Sequence, residues 1–207
     1  VYITRLASFL PNDPVSNDQI ETMLGLINGQ SSKAKPLILR NNQIKTRYYA
    51  LDKEGHATHT NSQLAKEAVV KLLDQDFDLS KVEILSCGTT SPDQLLPAHA
   101  AMVHGELGGH TMEINSASGA CSAGIQALKF GYLSVLSGGA NNAVCTGSER
   151  FSRWMLAKFF KEEAAKVARL EGDGIIAFEK DFLRFMLSDC AGAALLQSAP
   201  NPSGLSL

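Results

Sequence analysis

The chain has 207 residues, a formal net charge of −2 at pH 7, and 44% hydrophobic residues. This length supports one domain with a substantial core, or two small ones. The near-neutral charge gives no electrostatic basis for binding nucleic acid or an anionic membrane. No apolar run approaches the roughly 20 residues that a transmembrane helix needs, and the first five residues lack the basic-then-apolar layout of a signal peptide.

The four cysteines are widely separated, and no Cys-x-x-Cys pair occurs. This spacing argues against a disulfide scaffold or a zinc site and favours the reducing cytoplasm as the location. We therefore predict neither a metal nor a cofactor. The sequence contains no phosphate-binding loop, no Gly-x-Gly-x-x-Gly and no serine-centred nucleophile motif. The cysteines are Cys87, Cys121, Cys145 and Cys190.

Three elements and one irregular segment are predicted in the first 80 residues. Residues 1–10 alternate loosely and end at a proline, which predicts a strand. Residues 16–18 form an N-cap cluster for a helix that runs to about residue 27. Residues 37–49 have no clean period, so we expect an irregular, surface-exposed segment. Residues 61–73 carry an apolar stripe with helical spacing.

The middle of the chain alternates between strands and helices. The predicted order is a strand over 82–85, a helix over 98–107 with Pro97 in its first turn, a strand over 111–114, a helix to about 136 and a buried strand over 143–147. Such alternation predicts an α/β fold with a largely parallel sheet. Ligands of these sheets gather beyond the carboxyl ends of the strands, where Cys121 and a turn over 89–93 are both predicted to lie.

The last third of the chain is less regular. Residues 154–170 mix aromatic and basic side chains, which is typical of an amphipathic helix with a solvated basic face. Two strand-like segments, 182–187 and 193–196, are joined by a predicted tight turn over 188–192. Residues 198–207 are rich in proline and glycine and are predicted to form a linker.

The stretch from Asn115 to Gly124 is the strongest candidate for covalent chemistry. Glycine and alanine before Cys121 permit a tight turn from a strand into a helix. Such a turn places the sulfur near the first free N–H groups of the helix, which favour a thiolate, and thiolate is the nucleophilic form of cysteine. The alternative is a buried packing residue, which is the common role of a cysteine among small residues.

No histidine is well placed in the sequence to serve as a base for Cys121. Two lie in a polar loop, two lie five residues apart on a predicted helix, and one precedes the strand before the cysteine. Cys87 also follows a strand but has no helix after it, so we predict that it belongs to the core. The histidines are His56, His59, His99, His104 and His110.

Several short motifs occur in an order that resembles the β-ketoacyl-acyl-carrier-protein synthase III family. The resemblance implies an α/β, thiolase-like fold, with this chain as one βαβαβαββ half of the layered αβαβα architecture, and a homodimer. The motifs are Phe9-Leu10-Pro11, Thr89-Thr90-Ser91-Pro92-Asp93, Pro97, Ala120-Cys121-Ser122-Ala123-Gly124, Gly147-Ser148-Glu149 and Ser188-Asp189-Cys190-Ala191-Gly192-Ala193.

The resemblance also implies a chemistry. Cys121 would take an acyl group from a carrier-protein or coenzyme A thioester. A His and an Asn would then assist a decarboxylative Claisen-type condensation with a malonyl unit, in fatty-acid or polyketide-like biosynthesis. The family carries both partners in its second half, together with one of the two oxyanion N–H donors; the other belongs to the cysteine itself.

The same resemblance implies how the chain is organised. Residues 1–197 would form the N-terminal half, with an insertion at about 150–181, and residues 198–207 would lead to a second half. The chain alone is not expected to catalyse condensation.

The chain departs from the family pattern at several positions. Cys190 replaces a glycine, so its φ should be negative or its backbone strained. In members primed by coenzyme A, a Trp and an Arg bind the nucleotide. Here the aligned segment has no Trp, and Arg40 is shifted by one position from the family's Arg. These departures weaken the case for free acyl-coenzyme A and leave a carrier-protein thioester as a donor. Leu96 matches a residue that reaches across the dimer to the partner's acyl pocket. Residues 178–184 resemble ketosynthases that form cyclohexanediones or dialkylresorcinols.

Two other functions remain open at this point. One is a catalytically silent half-domain that serves as a dimerisation partner or scaffold. The other is a thiolase-like enzyme that transfers or hydrolyses acyl groups without condensing them.

Overall fold

The structure, a computed structural model, describes residues 1–160 and 181–202. The chain divides into two compact units. The sheet unit comprises Val1–Leu10, His59–Glu149 and Cys190–Leu207, and the loop unit comprises Pro11–Thr58 and Arg150–Asp189.

The strands and helices of the described residues have the following bounds. The strands are β1 (Tyr2–Phe9), β2 (Val15–Ser16), β3 (Thr46–Arg47), β4 (Ile84–Thr89), β5 (Glu113–Ser118), β6 (Asn142–Glu149) and β7 (Cys190–Gln197). The α-helices are α1 (Ile20–Leu24), α2 (Lys35–Asn42), α3 (Asn61–Val70), α4 (His99–Glu106), α5 (Ala123–Leu136) and α6 (Ser152–Met155). Leu79–Lys81 and Ala157–Phe160 form 3₁₀ turns, and residues 181–186 are helical.

The sheet unit is built on a five-stranded sheet with the strand order β1-β7-β6-β4-β5. Strand β4 pairs in parallel with β5 and with β6, whereas β7 runs antiparallel to both β6 and β1. Four strands therefore point the same way and one is reversed. The predicted α/β fold class is confirmed, with a mixed sheet. The tight turn predicted over 188–192 is wrong, because Cys190 already lies in extended backbone at the start of β7.

Helices cover both faces of this sheet. Asn61 of α3 donates to the Thr89 hydroxyl, and His99 of α4 contacts the Ser148 hydroxyl at 3.1 Å, so both helices lie on one face. Helix α5 lies on the other face, where a Cβ added to Gly131 would meet Cys145.

Helix α5 approaches the sheet closely because glycines line the contact. A Cβ added to Gly88 of β4 would lie only 2.1 Å from the Ala123 carbonyl oxygen. A Cβ added to Gly147 of β6 would lie 3.2 Å from the Gly124 Cα. The backbone at the start of α5 therefore packs directly on β4 and β6, with no side chain between them. This contact fixes where the helix begins.

The loop unit differs most from the sequence predictions. The helix predicted over 16–27 shortens to α1, and Ser16 lies in β2 instead of capping it. The segment predicted to be irregular and exposed forms α2 and β3, and Arg47 and Tyr49 are both buried. The strand predicted over 182–187 is wrong, because residues 182–186 belong to the helix over 181–186.

Long-range contacts explain these differences. The Tyr48 N–H donates to the Ser188 hydroxyl at 2.9 Å, and the Arg47 guanidinium donates to the Phe185 carbonyl. A window of neighbouring residues cannot reveal partners about 140 positions away.

The amphipathic helix predicted over 154–170 is described only at its beginning. Helix α6 ends at Met155, and a 3₁₀ turn follows it. The remainder of that prediction, and most of the predicted insertion at 150–181, lie outside the described residues. Within the described ranges, no helix combines the length and the apolar character needed to cross a membrane.

Candidate active site

Cys121 lies in a four-residue turn between β5 and α5. Strand β5 ends at Ser118 and α5 begins at Ala123, which confirms the predicted strand–turn–helix arrangement. The φ angle of Cys121 is 61°, in the left-handed region that residues with a side chain rarely adopt. Its thiol is exposed and forms no disulfide. Strained backbone conformations are concentrated at functional sites, so the φ angle of Cys121 supports its choice as the candidate nucleophile.

The N-terminus of α5 lies directly after the cysteine. Ser122 is the N-cap residue, and its side chain forms no capping hydrogen bond with the backbone N–H groups of the first turn. The Ser122 hydroxyl instead accepts a hydrogen bond from the Gln126 amide at 2.9 Å. Because α5 has 14 residues, its N-terminus carries the partial positive charge that attracts anionic groups.

A polar network connects the turn to the neighbouring strands. The Thr90 hydroxyl donates to the Gly119 carbonyl at 2.9 Å, and the Thr90 N–H donates to Glu149 Oε1 at 2.7 Å. The Ser91 hydroxyl donates to the other Glu149 oxygen at 2.5 Å. The carboxyl end of β4, the carboxyl end of β6 and the cysteine turn are therefore connected to one another.

The histidine on α4 lies on the opposite face of the sheet from α5. Burial lowers the pKa of His99, although Asp93 and Glu149 act to raise it. Its Nε2 atom contacts the Ser148 hydroxyl on that opposite face. His99 is therefore not placed to act as a base for Cys121.

The cysteines fall into two groups. Cys87 and Cys145 are buried, which raises the pKa of each thiol to about 12. They remain protonated at neutral pH, and the prediction that Cys87 belongs to the core is confirmed. Cys121 and Cys190 are the exposed members. Cys190 pairs with Glu149 in the β6–β7 ladder, at the carboxyl end of β6. The cysteine turn follows the carboxyl end of β5, which lies at the same end of the sheet.

The other two predicted site residues lie on separate elements. Leu96 is on the loop between β4 and α4 and is 85% exposed. Arg40 is in the last turn of α2, within the loop unit, and is exposed. Thr90 and Glu149 received no role from the sequence, although both lie in motifs that carried the resemblance. Their connection to the cysteine turn appears only when the strands are assembled.

Comparison with known proteins shows which proteins the chain resembles. No family model matches the chain. It is 28% identical over 173 residues to the β-ketoacyl-acyl-carrier-protein synthase III 1 of Deinococcus radiodurans, covering 83% of this chain and 46% of that protein. It is 26% identical over 206 residues to the synthase III 1 of Lactiplantibacillus plantarum, covering 99% of this chain and 54% of that protein.

This chain is a thiolase-like relative of the β-ketoacyl-acyl-carrier-protein synthases III.

Solved structures show the same fold. A tetronic acid condensing enzyme superposes with a TM-score of 0.74 at 23% identity, covering 97% of this chain and 56% of that protein. The chain spans about half the length of the curated relatives it matches.

Proposed function

We propose that this chain supplies the nucleophile of a β-ketoacyl synthase, and that Cys121 carries the acyl group. The supporting observation is the position of Cys121, an exposed thiol with a left-handed backbone at the N-terminus of α5. An accessible cysteine sulfur at a helix N-terminus is suited to attack a thioester carbonyl.

The proposed reaction has two steps. In the first, the Cys121 sulfur bonds to the acyl carbon, and the donor thiol leaves with a proton. In the second, a malonyl thioester loses CO₂, and its nucleophilic carbon bonds to the acyl carbon as the Cys121 thiolate departs. A His and an Asn would assist the decarboxylation and the formation of the new bond. Both residues, and the second oxyanion N–H donor, would come from a second thiolase half, as the resemblance implies.

An uncovered apolar surface supports a second half on the α5 side of the sheet. Ile125 and Leu136 of α5 are 69% and 58% exposed. Ile125 also lines an open groove of about 370 Å³, together with Val1, Ile3 and Leu196. Exposed apolar patches of this kind mark interaction surfaces. We propose that a second βαβαβαββ half covers this surface and completes the layered αβαβα architecture.

The free edge of β5 supports a homodimer. Strand β5 is the last strand of the sheet, and most of its residues are exposed. The Glu113 N–H points toward β4 by donating to the Glu83 carbonyl, so alternate residues such as Ile114 direct their N–H groups outward. An exposed strand edge is a template for pairing with a second copy.

The loop before α4 extends this surface. Leu95 and Leu96 are 88% and 85% exposed, and Ala100 of the following helix donates to the Ser116 hydroxyl of β5. We propose that Leu96 approaches the acyl pocket of the partner copy. Arg40 would contact the carrier-protein or coenzyme A portion of the substrate.

The dimer proposal predicts the effect of a proline on the edge. Ile114→Pro removes an outward N–H without removing a bond to β4, so it should convert a dimer into a monomer with an unchanged far-UV circular dichroism spectrum. Sedimentation velocity measures the change. Ile114→Thr keeps the N–H and should remain dimeric. A parent protein that sediments as a monomer at micromolar concentration would contradict the proposal.

The synthase activity is tested with the natural gene product. Incubated with an acyl thioester and a malonyl thioester, it should release CO₂ and form a β-ketoacyl product. Cys121→Ala should lower product formation at least about 10³-fold, as loss of a covalent nucleophile does. Acyl transfer without decarboxylation would instead support a thiolase-like enzyme that does not condense. Persistent condensation in Cys121→Ala would remove the proposal.

A catalytically silent scaffold remains the second candidate, because the chain spans about half of its relatives. A scaffold needs no reactive nucleophile. In that case Cys121 would react with iodoacetamide no faster than Cys190, which is also exposed.

A further inference from the structure

The peptide before Cys121 is held by a side chain from a neighbouring strand. The Thr90 hydroxyl, one residue beyond the end of β4, donates to the Gly119 carbonyl at 2.9 Å. Gly119 lies two residues before Cys121. The hydrogen bond therefore acts on the turn itself and not on the helix that follows it.

Thr90 is itself fixed by the last residue of β6. Its N–H donates to Glu149 Oε1 at 2.7 Å, and the Ser91 hydroxyl donates to Oε2 at 2.5 Å. Hydrogen bonds to a carboxylate are shorter and stronger than those between neutral groups. Among the ion pairs of the described residues, none includes Glu149. Among the described residues, the side-chain and backbone donors to this carboxylate are Thr89, at the end of β4, and Thr90 and Ser91, just beyond it.

Both ends of this connection rest on the sheet. Gly88 and Gly147 are paired in the parallel β4–β6 ladder, so the residues just beyond them cannot separate without breaking the ladder. The sheet thus provides a rigid base, Glu149 extends from it to Thr90, and Thr90 extends to the turn.

We propose that Thr90 and Glu149 are positioning residues that hold Cys121 in its reactive orientation. The role rests on the proposed function of Cys121. The left-handed backbone of Cys121 is unfavourable for a residue with a side chain, so it persists only where surrounding contacts determine it. Without the bond to the Gly119 carbonyl, the turn relaxes and the thiol leaves the N-terminus of α5.

The test compares two thiols in one sample. Thr90→Val removes the hydroxyl donor and keeps the branched shape of the side chain. The chain is treated with limiting iodoacetamide, and the alkylated peptides of Cys121 and Cys190 are quantified by mass spectrometry. The ratio of the Cys121 rate to the Cys190 rate should fall about fivefold, the change expected from the loss of one hydrogen bond.

The controls separate positioning from stability. Thr90→Ser restores the donor and should bring the ratio back to within about twofold of the parent, whereas Thr111→Val, an exposed matched substitution, should leave it unchanged. If Thr90 only stabilised the fold, Thr90→Val would lower the urea midpoint of unfolding. The ratio of the Cys121 rate to the Cys190 rate in the native state would then stay unchanged. An unchanged ratio in Thr90→Val, or a reduced ratio in Thr90→Ser, would overturn the proposal.

A second variant keeps the proposal testable if Thr90→Val does not fold. Glu149→Gln should also slow the alkylation of Cys121, measured here against N-acetylcysteine because Cys190 is paired with Glu149. An unchanged rate would overturn the proposal. Alkylation does not require acyl transfer. Absence of acyl-Cys121 would therefore remove the proposed function alone, and an unchanged alkylation rate would remove the positioning role alone.

Discussion

Replacement of Gly88 by alanine is expected to destabilise the chain by at least about 3 kcal/mol, at the upper end of the cost of overpacking a core. The new Cβ would lie 2.1 Å from the Ala123 carbonyl oxygen and 2.7 Å from the Gly124 nitrogen. These atoms belong to the backbone of α5, which cannot turn aside as a flexible side chain would. Urea unfolding followed by circular dichroism measures the loss.

The matched control is a glycine of α4. A Cβ added to Gly105 has nothing within 4 Å, so Gly105→Ala should stabilise the chain by about 0.5–1 kcal/mol through helix propensity alone. A Gly88→Ala variant within about 1 kcal/mol of the parent would mean that α5 does not pack on β4 as described. Gly88→Ala should also slow the alkylation of Cys121, because the start of α5 would move.

Asp189→Asn is expected to destabilise the chain by about 3 kcal/mol through loss of buried hydrogen bonds. Asp189 is fully buried in the loop unit and accepts from the Ala50 N–H at 2.8 Å and from the Ser152 N–H at 2.9 Å. The Ser152 hydroxyl also donates to it. An asparagine has only one acceptor oxygen, so its amide group would face one of these buried donors.

Asp13 provides the comparison for this variant, since it is exposed and lies in the same unit. Asp13→Asn should change the free energy of unfolding by less than about 0.5 kcal/mol. Urea midpoints of the two variants, measured at the same pH, give the difference. Equal stability of Asp189→Asn and Asp13→Asn would contradict the assigned role of Asp189.

The pH dependence of this carboxyl has a defined sign. Burial raises the pKa of Asp189, although its hydrogen bonds and Arg150 act to lower it. Because the folded pKa lies above the unfolded value, the contribution of Asp189 to stability is greatest in acid. It decreases as the pH rises from the ordinary carboxyl pKa to the raised one.

The sheet unit was largely predictable from the sequence. Strand β6 and helix α5 carry continuous local patterns, and the predicted end of the helix at Leu136 agrees with the structure. Strand β5 runs further than predicted, to Ser118, because its last residues are small and polar. Their extended conformation comes from pairing with β4, which local propensity does not contain.

The loop unit was not predictable in the same way. Arg47 and Arg184 are buried, although arginine is almost always exposed. Arg184 donates to the carbonyls of Met155 and Gly25, which lie at the ends of two short helices far away in the sequence. Charged residues in a sequence indicate a surface segment, and only the assembled backbone shows which carbonyls they satisfy.

The candidate site lies between these two cases. The turn at Cys121 follows from a strand, small residues and a helix in sequence order. Cys190 stands where the family has a glycine, so its φ was expected to be negative or its backbone strained. The residue lies at the start of strand β7. The roles proposed for Thr90 and Glu149 depend on the order of β4, β6 and β5 in space. No spacing in the sequence reveals that order.

Peptide mass mapping determines whether Cys121 carries the acyl group. The natural gene product is incubated with an acyl thioester, quenched in acid and digested. The acyl mass is expected on the peptide that contains Cys121, and it should be absent from the same peptide of Cys121→Ala. Acyl mass on a peptide containing Cys87, Cys145 or Cys190, or unchanged acylation of Cys121→Ala, would contradict this role of Cys121.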